Sequence, residues 1–404
     1  MRSLLGLLRS IAAFGVAPLV ALITAPLLAQ VLGTDGRGQL AAILQPLTVA
    51  DAVAAFGIPP AVAYFVARGT DSRLAERLGY FGIGITATFT YAAMILYSGP
   101  VASKQGIPQF ALVAIWSASL AGAAIAVRRG LWGGTQSWRR LDFERTGSAL
   151  GRLLGILALA AAGVTSALLF AVAPLVTGIL VSFSVLFLAS PPRVDTHPNQ
   201  LAKRTFYRYA ALVSVGTIAY TFASRIDQFL LPVVVSSSEL GIYVVAVTVA
   251  EVPLIVGMVL SRNLVSEVAA GKRRGAIAAT YLTAIAIAAS AALMIGVASG
   301  WAVPLFFGAE FAPAVPVVRV LSIASVFSVA SAGASAGLNG LGAPIAAATG
   351  YVFPIVGVLT YVGFANENVE LLALAIVVLI SQALCAATLV LLFVRRLLMT
   401  APGR

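Results

Sequence analysis

Asp51, Arg225, Asp227, Glu251 and Arg319 are ionisable residues set inside long apolar runs. Such groups are costly in hydrocarbon unless they meet a partner or water, so they mark an ion or substrate path. An arginine at 225 or 319 can hold a phosphate through two parallel hydrogen bonds. The carboxyl groups of Asp51 and Glu251 are suited to carrying a proton or holding a cation. Arg225 and Asp227 are two residues apart, so they lie on nearly opposite helix faces and are poorly placed to pair with each other. Thr221, Arg225 and Gln228 share one polar face, while Tyr220, Ser224 and Asp227 share another. On this pattern one face lines a cavity and the other bonds a neighbouring helix, in either order. The structural alternative is a set of interhelical ion pairs that fix packing, and Arg319 can also snorkel toward an interface.

Other chemistries find little support. His197 and Cys385 are the lone histidine and cysteine, and no acidic pair stands out in a loop. Catalytic residues, metals and cofactors are therefore not expected, and the chain does not read as an enzyme. No glycine-rich phosphate loop with a lysine occurs, which excludes an ATPase. Cys385 reads as a small packing residue. Asp142, Glu144, Lys203 and Arg204 read as solvated loop charges, and Trp132, Trp138 and Trp301 as membrane-interface markers.

The elements that must position these residues are membrane helices. The 404-residue chain is 60% hydrophobic and 10% charged, a balance that no water-soluble core requires. Twelve apolar stretches read as spans: 11–32, 38–66, 80–97, 108–127, 146–164 and 167–189, then 210–234, 240–260, 276–297, 314–338, 345–364 and 371–394. Each is near the roughly 20 residues that cross a hydrocarbon core as a helix, and the alternating segments of a β-barrel are absent. The first span is too long for a cleavable signal. Asp51 sits 13 residues from the expected outer end of its span and Glu251 sits 11, or about 20 and 17 Å of helical rise.

With the N-terminus inside, 22 of the 26 basic residues fall on inner segments or inner helix ends, and only Arg37 and Lys104 fall outside. That asymmetry predicts two cytoplasmic termini in the inner (plasma) membrane. The formal charge of +12 is thus a topology signal with some attraction for anionic membrane lipids, and nucleic acid is not an expected partner.

Residues 191–209 hold three prolines and a cluster of basic side chains, and read as a linker. They separate a six-span lobe at 1–190 from another at 210–404. A weak repeat relates the two: Gly36-Arg37-Gly38-Gln39-Leu40 opens the second span, and Glu239-Leu240-Gly241-Ile242-Tyr243 opens the eighth. The matching glycines are 203 residues apart, which makes Asp51 and Glu251 pseudo-equivalent to within a turn. Pro46, Pro59, Pro60, Pro253, Pro316 and Pro354 bend or break their spans. The expected fold is an all-α integral membrane protein of about twelve transmembrane helices in two pseudo-symmetric lobes. Parallel repeats of this kind suit a transporter with its path between the halves.

Several stretches resemble the bacterial polysaccharide (oligosaccharide) flippase family, within the superfamily that also holds multidrug and toxic-compound extrusion transporters. They are Ala25-Pro26-Leu27-Leu28-Ala29 with Leu32–Gln39, Ser224–Gln228, Glu239–Tyr243, Ala250–Pro253, Phe307–Pro313 and Leu338–Pro344. The resemblance implies a two-lobed transporter with alternating access. It implies a polyprenyl-pyrophosphate-linked oligosaccharide as substrate, flipped from the inner to the outer leaflet for surface polysaccharide synthesis, with glycan polymerases or ligases as partners. Arg225 and Arg319, with Gln228 and Thr221, would bind the pyrophosphate. Asp51, Asp227 and Glu251 would gate or couple to H+ or Na+. The chain departs from the pattern in one respect: its spans hold about as many acids as bases. That keeps open a proton- or sodium-coupled multidrug exporter using Asp51 or Glu251. A scaffold without transport would need no buried charge, and a membrane glycosyltransferase would want an acidic metal-binding loop.

Overall fold

A computed structural model describes residues 4–189, 202–365 and 368–399. Among these residues the regular elements are all helical. In order they are α1 (Leu4–Ala55), α2 (Ile58–Ala67), α3 (Ser72–Gln105), α4 (Gln109–Trp116) and α5 (Ala118–Gly134). Then come α6 (Trp138–Ala161), α7 (Ala167–Phe187), α8 (Lys203–Val234), α9 (Ser237–Ala250) and α10 (Leu254–Ala269). The last are α11 (Arg274–Phe307), α12 (Ala314–Gly340), α13 (Pro344–Ala348), α14 (Val352–Ala365) and α15 (Leu371–Met399).

Eight of the described segments are long and apolar enough to cross a membrane, and the α9–α10 pair, bent by 51°, makes a ninth. The expected twelve differ from this count for two reasons. First, α1 covers two expected spans: its 40-residue, largely apolar stretch from Val16 measures about 60 Å, twice a hydrocarbon core. The break within it is Gly33, at φ 65° and ψ −175°, backbone that glycine alone adopts freely. Second, α6 and α8 are set apart by their charges. Six lie along α6, from Arg139 to Arg152, and five along α8, from Lys203 to Asp227. Most of the expected linker lies outside the described residues.

Contacts gather the chain into two compact units. One is Met1–Leu32 with Gln39–Ile218, and the other is Gly33–Gly38 with Ala219–Arg404. In the first unit Ile58, Val62, Phe65, Leu78, Val127, Leu131 and Phe206 form a core among α2, α3, α5 and the start of α8. Helix α1 stops at Ala55 because Phe56 and Gly57 both take positive φ, 41° and 66°. Pro59 and Pro60 then open α2, where a missing N–H costs nothing. The Ala54 carbonyl at this broken end accepts a hydrogen bond from Thr86 Oγ1 at 2.5 Å, which satisfies a group the helix no longer can. Trp132 is a packing residue rather than an interface marker: it is buried and donates its indole N–H to the Leu186 carbonyl at 3.1 Å. Trp301 is 61% exposed.

In the second unit α12 is the central helix, touching α9, α10, α11, α13 and α15. Around it Leu264, Tyr281, Val329, Leu338, Cys385, Leu389 and Phe393 form the core. The short segment Gly33–Gly38 joins this unit through a backbone-to-backbone contact. A Cβ on Gly38 would lie 1.8 Å from the Ser237 carbonyl oxygen, and one on Gly241 would lie 2.1 Å from that of Thr34. Thr34 and Ser237 are 203 residues apart, as Gly38 and Gly241 are. The matched glycines of the repeat therefore meet each other, and each covers the other's residue four back. Elsewhere large apolar side chains point outward, including Phe89, Leu96 and Phe364, where hydrocarbon rather than water is the fitting solvent.

Gly241→Val should lower the melting temperature in detergent, because the side chain must push apart two backbones. Overpacking of this kind costs about 1–3 kcal/mol. Gly84→Ala, with nothing within 4 Å of the new carbon, should melt as the parent does. Equal melting of both variants would remove the close contact.

Candidate functional site

The second unit brings together most of the residues singled out above. Helix α8 carries Thr221, Arg225, Asp227 and Gln228, and Glu251 follows the last turn of α9 as its C-cap. Pro253 sits in the turn between α9 and α10. A proline cannot supply the next helical N–H, so the chain bends there and α10 starts afresh at Leu254. Broken helices of this kind recur at transporter binding sites.

Arg225 spans the gap from α8 to this break. Its two terminal nitrogens donate to the Glu251 carboxylate, 2.8 Å to Oε1 and 3.1 Å to Oε2. The first also donates to Gln228 Oε1 at 3.3 Å. The two charged side chains keep 28% and 29% of their surface accessible, so the pair borders open space rather than a dry core. That exposure leaves a route for a competing anion. Arginine suits the position because its planar fork meets two oxygens at once.

Asp227 faces inward. It is buried and accepts a 2.5 Å hydrogen bond from the Tyr243 hydroxyl, itself fully buried on α9. Arg225 and Asp227, two residues apart, thus both reach α9, one at its end and the other nearer its start. Gln228 is buried, Thr221 is half-buried, and the Ser224 hydroxyl donates to the Thr221 carbonyl at 3.1 Å. On α15, Gln382 donates its amide to the Ala223 carbonyl at 3.3 Å. Tyr243 and Gln382 were not singled out in advance, although each is a polar group inside an apolar span, which was the available signal.

Two expected residues lie apart from this group. Arg319 is an exposed residue of α12 and donates its Nε to the Gly296 carbonyl of α11 at 3.3 Å. No hydrogen bond or ion pair joins it to Arg225, Gln228 or Glu251 among the described residues. Asp51 belongs to the first unit. It is exposed, makes no hydrogen bond or ion pair among the described residues, and lies beside Gly122, whose added Cβ would sit 3.7 Å from Asp51 Oδ1.

Asp142 and Glu144 are not solvated loop charges. Helix α6 begins at Trp138, eight residues before the expected span, and buries both side chains. Glu144 accepts two hydrogen bonds from Arg129, at 2.7 and 3.2 Å, and one from Ser182 at 2.5 Å. Arg128 next to it pairs with Glu76 at 3.0 Å. The partners of Glu144 lie on other helices, α5 and α7, which sequence spacing does not reveal. Among the described residues no three His, Cys, Asp or Glu side chains gather as a metal site.

The profile of the family described as "Polysaccharide biosynthesis protein" matches residues 6–263. The chain belongs to that family. The match takes in the Ser224–Gln228 and Ala250–Pro253 stretches that carry Arg225 and Glu251. A search of curated proteins finds no match. Among solved structures the fold is similar to an inward-facing multidrug resistance MATE family transporter of the MOP superfamily. That likeness has 14% identity and TM-score 0.69, covering 93% of this chain and 94% of that one. An outward-facing MATE transporter matches at 13% identity and TM-score 0.64, covering 97% and 94%. A Pyrococcus furiosus MOP superfamily transporter, described as having a binding pocket of reverse polarity that suggests a different function, matches at 13% identity and TM-score 0.61, covering 96% and 94%. This member of the polysaccharide biosynthesis protein family is thus a multi-pass membrane protein with a MATE-type transporter fold.

Tyr243→Phe should lower the melting temperature by removing the side-chain donor to the buried Asp227 carboxylate. A hydrogen bond to a charged group contributes about 1.5–3 kcal/mol. Tyr243→Phe with Asp227→Leu should recover part of the loss, because both polar groups are then gone. Unchanged melting of the single variant would show that the bond contributes nothing.

Proposed function

We propose that this protein is an alternating-access flippase that moves a polyprenyl-pyrophosphate-linked oligosaccharide from the inner to the outer leaflet of the plasma membrane. The observation that carries the reading is the accessible Arg225–Glu251 pair at a helix break, in a family named for polysaccharide biosynthesis. A pyrophosphate carries at least two negative charges and needs a cation inside the membrane. Arg225 supplies one whose counter-ion can be exchanged. In the resting state Glu251 satisfies the guanidinium. When the pyrophosphate arrives, or when Glu251 takes up a proton, Arg225 is released to the substrate, with Gln228 and Thr221 beside it and Arg319 as a second cation. Asp227 keeps α8 and α9 together while this exchange occurs. Asp51, the open carboxylate of the other unit, couples the cycle to H+ or Na+. On this reading α6 and α8 also cross the membrane, giving twelve crossings in two six-helix lobes with both termini cytoplasmic.

A second reading is a proton- or sodium-coupled multidrug exporter. It is favoured by the Asp51 carboxylate, which makes no hydrogen bond or ion pair among the described residues, and by the structural likeness to multidrug MATE transporters.

Depleting the protein should make an undecorated lipid-linked glycan accumulate and surface polysaccharide fall, as read by lipid extraction and mass spectrometry. An unchanged pool, with lost resistance to ethidium, would replace the flippase with the exporter. Arg225→Lys keeps the charge but loses the two-pronged contact, so its flux should fall about tenfold or more while expression holds. Full flux would remove Arg225 from the substrate site.

A further inference from the structure

The sequence places Arg152 at the inner end of its span, as one basic residue among many. The structure places it 14 residues into α6 and nine from its end, about 21 and 14 Å of helical rise. It lies seven residues beyond Arg145, the last of the charges that open the helix, about 10 Å of helical rise. Its direction follows from the helix repeat. Phe143, Leu150, Leu154 and Leu157 are exposed and form one stripe, the face that fits lipid. Phe143 precedes Arg152 by nine residues, about two and a half turns, which puts Arg152 on the opposite side. That side also carries Arg145 and the buried Ala149 and Ile156. Gly147, Gly151 and Gly155 form a third face and pack against Val181, Thr177 and Ala173 of α7.

Arg152 is half-buried, and its Nε is fully enclosed with no hydrogen-bond partner. Among the described residues no ion pair or hydrogen bond meets its guanidinium. Two other arginines of the first unit do have carboxylate partners: Arg129 pairs with Glu144 and Arg128 with Glu76. Arg225 in the second unit is satisfied by Glu251. A half-buried cation on the face away from the apolar stripe, with no partner among the described residues, is costly to keep without a use. Its missing partner is an anion.

We propose that Arg152 is an anion-binding residue of the first unit that takes the phosphate groups of a polyprenyl pyrophosphate, without first having to displace a resident carboxylate. This rests on the flippase reading above and adds to it an anion-binding residue within the first unit. A guanidinium with its fork free offers the two parallel N–H groups that a phosphate accepts.

The test is binding of farnesyl pyrophosphate to the full-length protein in detergent. Wild-type protein should bind it and should not bind farnesol. Arg152→Gln should weaken the affinity tenfold or more, Arg152→Lys should weaken it less, and neither should lower the melting temperature, because no bond is lost. Wild-type affinity in Arg152→Gln overturns the assignment and leaves the flippase reading standing. Absence of farnesyl pyrophosphate binding in wild-type protein overturns both. Displacement of the ligand by an equal concentration of phosphatidylglycerol would make the occupant an ordinary lipid headgroup, which also overturns the assignment. A drop in melting temperature for Arg152→Gln would reveal a protein partner and overturn it as well.

Discussion

A charge within the hydrocarbon layer must have a counter-charge, a polar contact or water, and much of this structure follows from that requirement. Arg225, Asp227 and Glu251 are tolerated between α8 and α9 because each has a partner on the other helix. The same rule explains α6, whose buried Glu144 is held by Arg129 and Ser182. Removing one partner from such a set leaves a stranded charge, so the partners act as a unit. The pairs also restrict which helices can move apart, since separation must be compensated by water, a proton or a ligand.

Backbone breaks meet the same requirement by another route. At Phe56–Gly57 the helix ends, and a threonine from α3 takes up the freed carbonyl. At Glu251–Pro253 the break sets a carboxylate at a helix end, within reach of Arg225. Both breaks lie in the paired second and eighth spans, whose openings meet at Gly38 and Gly241. The repeat is thus built into the packing as a reciprocal contact. A glycine is needed at each position because two backbones occupy the space a side chain would fill.

Much of the fold was legible because lipid imposes long apolar runs with few exceptions, and prolines punctuate them. Helix ends were less legible. Trp138 to Arg145 read as loop because five charges, an arginine pair among them, cluster there, and the tertiary partners of Glu144 are not visible in the sequence. The site was legible as a set of residues but not as a set of bonds. Asp227 meets Tyr243 and Arg225 meets Glu251 across a helix hairpin, and residue spacing within α8 says nothing of either. Ala223 meets Gln382 from 159 residues away. Arg152 was not singled out because it read as one basic residue among many at the inner helix ends, and residue spacing does not show that its guanidinium has no partner among the described residues.

The measurement closest to the central claim is a charge exchange at Arg225 and Glu251, read as both melting temperature and flux of the lipid-linked glycan. Each single change, Arg225→Glu or Glu251→Arg, should lose stability on the scale of about 1.5–3 kcal/mol for a charged hydrogen bond. The double exchange should recover most of that stability yet remain inactive, because residue 225 would then present a carboxylate to a pyrophosphate. A double variant that regains flux along with stability would make the pair a structural tie alone and contradict the account.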